Sequence, residues 1–291
     1  MIFEDGNKYG CPIGCKYCMV THIDARRNKW NEQHRYGINK TVFFVNKLEG
    51  EKPLREMNLN LDYFKGEYVG FEGITDAFNP VFEDDLKYMV ELSKTTNMKK
   101  LVLVTKWPIS EKQFEIITNN KKILLVVSLT GLDMLENVPT KSRIEVIKKA
   151  KEKNIDVLPI IHPYIHKLSN LDFIDELEKI GIKEISLKGF RYNDTWMGEW
   201  GKKLMAPEIY KIYFDNQEKE ILLGEEYVID IARKHNIRII PFREYVHRDN
   251  GIKGIELEES KKIVDDIFSK VVISSSDTNN AVYEEAIKRR L

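Results

Sequence analysis

The sequence has 291 residues, of which 42% are hydrophobic, and its 46 basic and 46 acidic side chains give a formal net charge of zero. This length fits one large α/β barrel or two ordinary domains, and the charge balance disfavours long nucleic acid as a partner, although a local basic groove would still allow it. No apolar run approaches the ~20 residues that span a bilayer, so we expect a cytoplasmic protein without a membrane partner.

The three cysteines lie together near the start of the chain, as Cys11, Cys15 and Cys18 in the spacing CxxxCxxC. An odd number packed this closely argues against a disulfide framework. A cuboidal cluster of four irons held by three thiolates leaves one iron open to another ligand, whereas a structural zinc site is normally closed by four ligands. We therefore predict a [4Fe–4S] cluster. Zinc with His22 as the fourth ligand, a dithiol redox pair and three buried structural thiols are the alternatives.

From about residue 67 onward, short apolar runs rich in β-branched residues alternate with longer amphipathic stretches. Continuous apolar runs such as LLVVSL are typical of a parallel sheet buried on both faces. Because no Gly-rich phosphate loop follows any strand, we predict an α/β fold with a partial (β/α) barrel rather than a dinucleotide-binding fold. The predicted strands are Tyr68–Glu72, Lys100–Thr105, Ile123–Ser128, Asp156–Ile161, Glu184–Lys188 and Arg238–Pro241. The predicted helices lie near 82–97, 110–120, 139–153, 171–180 and 222–235.

Three regions fall outside this alternation. The stretch 21–40 is locally basic, and we interpret it as a solvated face. Residues 190–221 are rich in aromatic side chains and form a long insertion, while 242–291 hold two predicted helices separated by a polar run. We therefore divide the chain into a barrel core, 1–241, that includes the insertion, and a short helical C-terminal extension, 242–291.

The cysteine motif, with Tyr17 before its last cysteine, resembles that of the radical S-adenosylmethionine superfamily. Within it, the chain looks most like the spore photoproduct lyase-like members. The segments that carry this likeness are ITDAFNP (74–80), LVTKWP (103–108), VVSLTGL (126–132) and the stretch from Pro139. The resemblance implies that S-adenosylmethionine binds the open iron of the cluster and is split by one electron into methionine and a 5′-deoxyadenosyl radical.

The resemblance also implies positions for the residues around the cofactor. Thr75 and Asp76 would lie beside the methionine amino group, with Tyr17 next to the cluster. Lys106 and Ser128 would face the carboxylate and the ribose, and Arg143 is a further candidate for the carboxylate. Structural alternatives are a helix start or a turn residue at Asp76, a solvated loop cation at Lys106, a satisfied strand-end hydroxyl at Ser128 and a surface residue at Arg143.

The fate of the substrate radical follows from what the sequence lacks. Spore photoproduct lyase is expected to use an additional cysteine as hydrogen-atom donor, and this chain has no cysteine beyond the motif. We therefore predict quenching by a tyrosine, internal rearrangement or recapture from 5′-deoxyadenosine. The candidate tyrosines, all just past strand ends, are Tyr164, Tyr192 and Tyr245. The insertion 190–221 would close over the site.

The substrate itself is left open between a peptide, a nucleic acid and a small metabolite. His162 and His166 follow a strand end and suggest a substrate or loop hydrogen bond, while Lys188 and Arg191 suit an anionic or planar substrate or pack the barrel mouth. A flavodoxin- or ferredoxin-type protein is the expected electron donor. The alternative from another class is an iron–sulfur electron-transfer or sensing protein that does not cleave S-adenosylmethionine, which would more usually have four cysteine ligands.

Overall fold

The computed structural model describes residues 13–18, 33–39, 42–48, 68–73, 76–80, 83–191, 198–215 and 220–240. Several predicted features lie outside these ranges, namely Cys11, Thr75, Tyr192, Tyr245 and the extension 242–291. The division of the chain into a barrel core and a helical extension therefore stays a prediction.

A mixed sheet of eight strands forms the centre of the fold. The described residues contain the strands β1 Gln33–Asn39, β2 Val42–Leu48, β3 Tyr68–Gly73, β4 Lys100–Thr105, β5 Ile123–Leu129, β6 Asp156–Ile161, β7 Glu184–Leu187, β8 Phe190–Arg191, β9 Glu220–Ile221 and β10 Arg238–Ile240. The sheet has the order β10-β7-β6-β5-β4-β3-β1-β2, while β8 and β9 pair separately. From β3 to β10 the six neighbouring strands are parallel. The α/β fold with a barrel-type parallel sheet is confirmed, and each predicted strand ends within one residue of the observed one.

Helices connect the parallel strands, as the sequence predicts. Those in the described ranges are α1 Glu83–Thr95, α2 Glu111–Ile117, α3 Thr140–Glu152, α4 Phe173–Lys179, α5 Gly198–Leu204, α6 Pro207–Phe214 and α7 Glu225–Lys234. A capping box sets the start of α2, because Ser110 accepts from the Gln113 N–H at 3.3 Å and Gln113 accepts from the Ser110 N–H at 3.1 Å. No helix in this part of the chain is long and apolar enough to cross a membrane.

Residues 33–39, within the stretch 21–40 that we interpret as a solvated face, form the strand β1. This strand pairs antiparallel with β2 on one side and with β3 on the other, where Gly37 lies opposite Glu72. The sequence of β1, QHRYGIN, lacks the apolar run that marked the central strands. Strands near a sheet edge often carry polar residues, so hydrophobic patterning does not reveal them.

The two faces of the parallel sheet carry separate apolar clusters. On one face, strand residues such as Leu103 and Leu125 pack with helix residues such as Met89 and Ile147. The other face, which we call the inner face, has its own cluster without a described helix residue: Val102, Leu124, Val126, Leu158, Ile160 and Ile240. Because side chains alternate along a strand, every second residue of these strands belongs to the inner face.

The aromatic insertion 190–221 packs against the cysteine-bearing turn, residues 13–18. Its described part comprises β8, α5, α6 and β9. The ring of Phe190 lies 5.8 Å from that of Trp200 and 5.9 Å from that of Tyr213. These aromatic side chains belong to the same buried cluster as Cys15. The insertion is therefore part of the packing around the cysteines.

Gly131, just after β5, lies where two loops approach each other closely. It has a φ of +63°, and a Cβ there would lie 1.9 Å from the backbone oxygen of Asn170. Gly181 also has a positive φ, +80°, but nothing lies within 4 Å of its Cβ position. We expect Gly181→Ala to lower the free energy of unfolding by ~1–2 kcal/mol, the cost of the left-handed conformation, and Gly131→Ala to lower it by more. Urea unfolding measures both, and equal losses would contradict the close approach.

Candidate active site

The cysteine-bearing turn lies against the segment that follows β5. The Lys16 N–H donates to the Leu135 carbonyl at 2.8 Å, and within the turn the Cys18 N–H donates to the Cys15 carbonyl at 3.0 Å. This contact brings two thiols to the carboxyl ends of the parallel strands. Functional residues of barrel folds gather at this end of the sheet.

Both described cysteines are free thiols, and Cys15 is only 6% exposed. Burial raises the pKa of the Cys15 thiol to about 12, while the Lys106 ammonium opposes the rise. The free thiol is therefore protonated at neutral pH, and ligation of a metal, which requires the thiolate, releases that proton. Two thiols on one turn fit the donor set of an iron–sulfur cluster, with Cys11 outside the described residues.

Glu136 connects this turn to the sheet through one carboxylate oxygen. Its side chain is fully buried, and Oε1 accepts a hydrogen bond from the Tyr17 hydroxyl. The Lys106 ammonium, from the end of β4, lies 2.9 Å from the same oxygen, and the Cys15 Sγ lies 3.9 Å from it. Lys106 also donates to the Tyr17 hydroxyl and lies 4.6 Å from the centre of the Tyr17 ring. Residues from three separate segments thus meet at one carboxylate oxygen.

The second oxygen of Glu136 forms a salt bridge with Arg143, which lies in the first turn of α3. Oε2 accepts from the Arg143 guanidinium and from the Thr130 hydroxyl, the latter at 2.8 Å. Arg143 also donates to the Ser128 carbonyl at 2.9 Å, and its side chain is 0% exposed. The alternative of a surface residue is therefore wrong, while the contact of Arg143 with a cofactor carboxylate stays a prediction. Arg143 positions Glu136.

The group around Glu136 holds two cations and two carboxylates. Glu136 faces Lys106 and Arg143, and the half-exposed Asp133 carboxylate also lies 3.7 Å from the Arg143 guanidinium. Burial raises the pKa of Glu136 to about 7, and Arg143 opposes the rise. The Lys106 ammonium at 2.9 Å further favours the ionised carboxylate.

Asp76 shapes the end of β4 from which Lys106 projects. Its Oδ2 accepts from the Lys106 N–H at 2.7 Å, and its Oδ1 accepts from the Thr105 hydroxyl at 2.7 Å and the Phe78 N–H at 2.9 Å. Burial raises the pKa of Asp76, and these hydrogen bonds oppose the rise. These contacts agree with the alternative in which Asp76 is a turn residue. The predicted contact of Asp76 with a methionine amino group stays a prediction.

Ser128 lies on the inner face near the carboxyl end of β5. Its cross-strand partner on β6 is Ile160, a member of the inner-face cluster. The hydroxyl of Ser128 donates to the His162 carbonyl at 2.7 Å, and the residue is 4% exposed. The structure thus shows the satisfied strand-end hydroxyl, in a place that also borders the face where a cofactor ribose is predicted.

Tyr164 does not lie with the residues that meet at Glu136. It is 1% exposed, and its ring belongs to the helix-covered cluster of the sheet. Its hydroxyl pairs with the Nδ1 of His166 at 3.0 Å, and the His166 N–H donates to the Tyr213 hydroxyl at 2.9 Å. This placement does not support Tyr164 as a hydrogen-atom donor on the inner face. Of the two hydrogen-bond roles expected for His166, the structure shows contacts within the protein, to Tyr164 and Tyr213.

Glu136 and Thr130 are the functional candidates that sequence reasoning missed. Both fall within the segment TGLDMLENVPT (130–140), which follows β5. A single glutamate within a loop is an ordinary surface residue in most sequences, because charged side chains are mostly exposed. A possible signal was Arg143, seven residues later in the first turn of a predicted helix. The sequence does not identify the partner of this arginine.

No protein-family model matches the sequence. No curated protein matches it either. Solved structures do match at the level of the fold. A double mutant of spore photoproduct lyase with bound AdoMet and dinucleoside spore photoproduct has a TM-score of 0.50 and 14% sequence identity, over 79% of this chain and 74% of that one.

Two further structures match less well. Spore photoproduct lyase complexed with dinucleoside spore photoproduct has a TM-score of 0.44 and 12% identity, over 84% of this chain and 72% of that one. Streptococcus suis SuiB bound to the precursor peptide SuiA has a TM-score of 0.38 and 15% identity over 62% of this chain. The chain spans about 40% of the length of SuiB. The similarity to the first structure shows that the chain has the fold of spore photoproduct lyase, a radical S-adenosylmethionine enzyme.

Replacing Glu136 tests its central place in the site. We expect Glu136→Gln to lower the free energy of unfolding by ~3 kcal/mol or more, because it removes the buried counter-charge of the Arg143 guanidinium and leaves only the half-exposed Asp133 carboxylate, 3.7 Å away. The double variant Glu136→Gln/Arg143→Met should lose less than the sum of the two single variants, since the unpaired charge is then gone. Glu111→Gln is the matched control, because its carboxylate pairs with Lys149 at 2.6 Å on the surface. A loss at Glu136 no larger than that of the control would rule out the coupling.

Proposed function

We propose that this protein is a radical S-adenosylmethionine enzyme. It holds a [4Fe–4S] cluster through Cys11, Cys15 and Cys18 and removes hydrogen from a substrate that is a peptide, a nucleic acid or a small metabolite. The observation that carries the proposal is the contact of the CxxxCxxC turn with Glu136 and Lys106 at the carboxyl ends of parallel strands. The shared fold with spore photoproduct lyase supports it.

The cluster fits the residues around the described thiols. Cys15 and Cys18 are free, and the Lys106 ammonium and the Cys15 thiol lie at the same oxygen of Glu136. A cluster with thiolate ligands is anionic, so this ammonium stabilises it and favours uptake of an electron. When bound, the cluster would supply the electron that splits S-adenosylmethionine into methionine and a 5′-deoxyadenosyl radical.

The chain's own residues bind and orient the cofactor. Lys106, with a side chain 15% exposed, would pair with the cofactor carboxylate, and Asp76 holds its backbone in place. Ser128 would contact the ribose from the inner face. Tyr17 connects the turn to Lys106, so a shift of the lysine towards the cofactor is transmitted to the cysteines.

The aromatic insertion would exclude water from the reaction. Phe190, Trp200 and Tyr213 pack in the same cluster as Cys15, so the apolar wall already borders the turn. A radical that met solvent or polar side chains would be lost to side reactions. The substrate radical would be resolved by Tyr192 or Tyr245, by rearrangement or by recapture from 5′-deoxyadenosine. A flavodoxin- or ferredoxin-type donor in the cytoplasm would reduce the cluster.

The direct test is cofactor cleavage by the anaerobic protein. After reconstitution we expect about four irons per chain, a reduced-cluster resonance that shifts on addition of S-adenosylmethionine, and release of 5′-deoxyadenosine with a strong reductant. Cys15→Ala and Cys18→Ala should each lose iron and cleavage, because two thiolates do not hold the cluster firmly. Stoichiometric zinc without iron would contradict the proposal. Iron binding without cleavage would identify an electron-transfer or sensing protein instead.

A second test concerns the place of the cofactor. In reconstituted protein, Lys106→Gln should weaken S-adenosylmethionine binding about tenfold or more, because a charge-assisted contact contributes ~1.5–3 kcal/mol, and Ser128→Ala should weaken it less. Lys100→Gln is the control, since Lys100 starts the same strand and bonds Asp156 at 2.9 Å. Binding is measured by equilibrium dialysis together with the iron content. Unchanged affinity in both variants at normal iron content would show that the cofactor binds elsewhere.

A further inference from the structure

The inner face of β6 and β7 presents a group of polar side chains that no contact described so far employs. Ile160 pairs with Ser128 on one side and with Ser186 on the other, so the three residues form one row across the inner face. Two positions further along the same strands come His162 and Lys188, whose side chains belong to the same face because side chains alternate. Lys188 follows β7 directly, and its N–H donates to the Ile161 carbonyl at 2.9 Å.

Two of these side chains have buried polar atoms without a partner. The Ser186 hydroxyl and the His162 Nδ1 are inaccessible to solvent and make no hydrogen bond to the described residues. Ser186 is 0% exposed. Buried polar atoms are almost always paired, so two such exceptions on one face indicate a partner that is not among the described residues, and a bound ligand is one that would satisfy both.

The charge around His162 indicates the sign of that partner. Burial and the nearby ammonium groups of Lys188 and Lys106 hold the pKa of His162 well below its usual range. The imidazole is therefore neutral and carries one N–H donor beside two cations. The Glu220 carboxylate lies 4.0 Å from the Lys188 ammonium, with both side chains about 40% exposed, and it also accepts the Gly189 N–H at 3.0 Å. Such an exposed pair at that distance is weak, so Lys188 can exchange this partner for a ligand.

We propose that Lys188 and His162, with Ser186 beneath them, form a binding site for an anionic group of the substrate, a phosphate or a carboxylate. All three residues offer donors, and an anion would satisfy them together. The strands β6 and β7 are two and three positions from β4 in the sheet, roughly 10–14 Å along it. The backbone positions of Lys188 and Lys106 are thus well apart on the inner face, although the Lys106 ammonium also acts on His162. The inference rests on the proposed function in taking the inner face as the substrate side.

The test uses the full chain with its reconstituted cluster, saturated with S-adenosylmethionine. Orthophosphate and acetate are titrated separately by calorimetry, with chloride at equal ionic strength as the blank. We expect one of the two anions to bind at one site per chain. Lys188→Gln should weaken that binding at least about tenfold, and His162→Phe, which keeps a planar ring and removes its donor, should weaken it several-fold. Lys211→Gln, on the exposed side of α6, is the matched control and should bind as the wild type does.

Each outcome decides the inference. Preferred binding of phosphate over acetate, or the reverse, identifies which anion the site takes. Absence of binding by both anions, undiminished binding in Lys188→Gln, or equal weakening in Lys211→Gln would overturn the inference. Anion binding that disappears once S-adenosylmethionine is present would also overturn it, because the site would then belong to the cofactor. Anion titration without S-adenosylmethionine, together with the cleavage assay, separates the two proposals. If the protein binds the anion but does not cleave the cofactor, the proposed function is refuted and the anion site stands.

Discussion

The buried carboxylate of Glu136 is the interaction on which the arrangement of the site depends. It balances the Arg143 guanidinium on one oxygen and meets the Lys106 ammonium and the Tyr17 hydroxyl on the other. A buried charge without a partner is costly, so each of these groups restricts where the others can lie. Because Tyr17 belongs to the cysteine-bearing turn, the same carboxylate fixes the turn to the sheet. The position of Cys15 therefore depends on a helix that begins more than a hundred residues later.

The parallel sheet explains why so many polar side chains meet at one edge. Each strand is apolar along its length and polar where it ends, and parallel strands place all these ends together. On the inner face the ends of β4, β5, β6 and β7 carry Lys106, Ser128, His162 and Lys188. The two charged residues among them, Lys106 and Lys188, are both cations. An inner face with these cations suits three separate anionic partners: the cluster, the cofactor carboxylate and a substrate group.

Hydrophobic patterning predicted the parallel part of the fold well, because buried strands and amphipathic helices differ in the spacing of their apolar residues. All six strands read from that pattern are present. The hairpin of β1 and β2 was not predicted, since the sequence of β1 lacks an apolar run and its place in the sheet is seen only from its pairing with β2 and β3. The aromatic insertion was identified by composition, but its packing against the cysteine turn depends on contacts between distant segments.

The sequence by itself determined the donor set of the candidate cluster and the strand ends that surround it, because both are properties of local spacing. The tertiary structure decided which of those residues share a space. It placed Arg143 in the interior as a partner of Glu136 and put Tyr164 on the helix-covered face. It also joined Glu136 to Cys15 across 121 residues of sequence. A residue's local pattern states what its side chain can bind, whereas the partner depends on which segments the fold brings together in a low-dielectric interior, where an unpaired charge or polar group is costly.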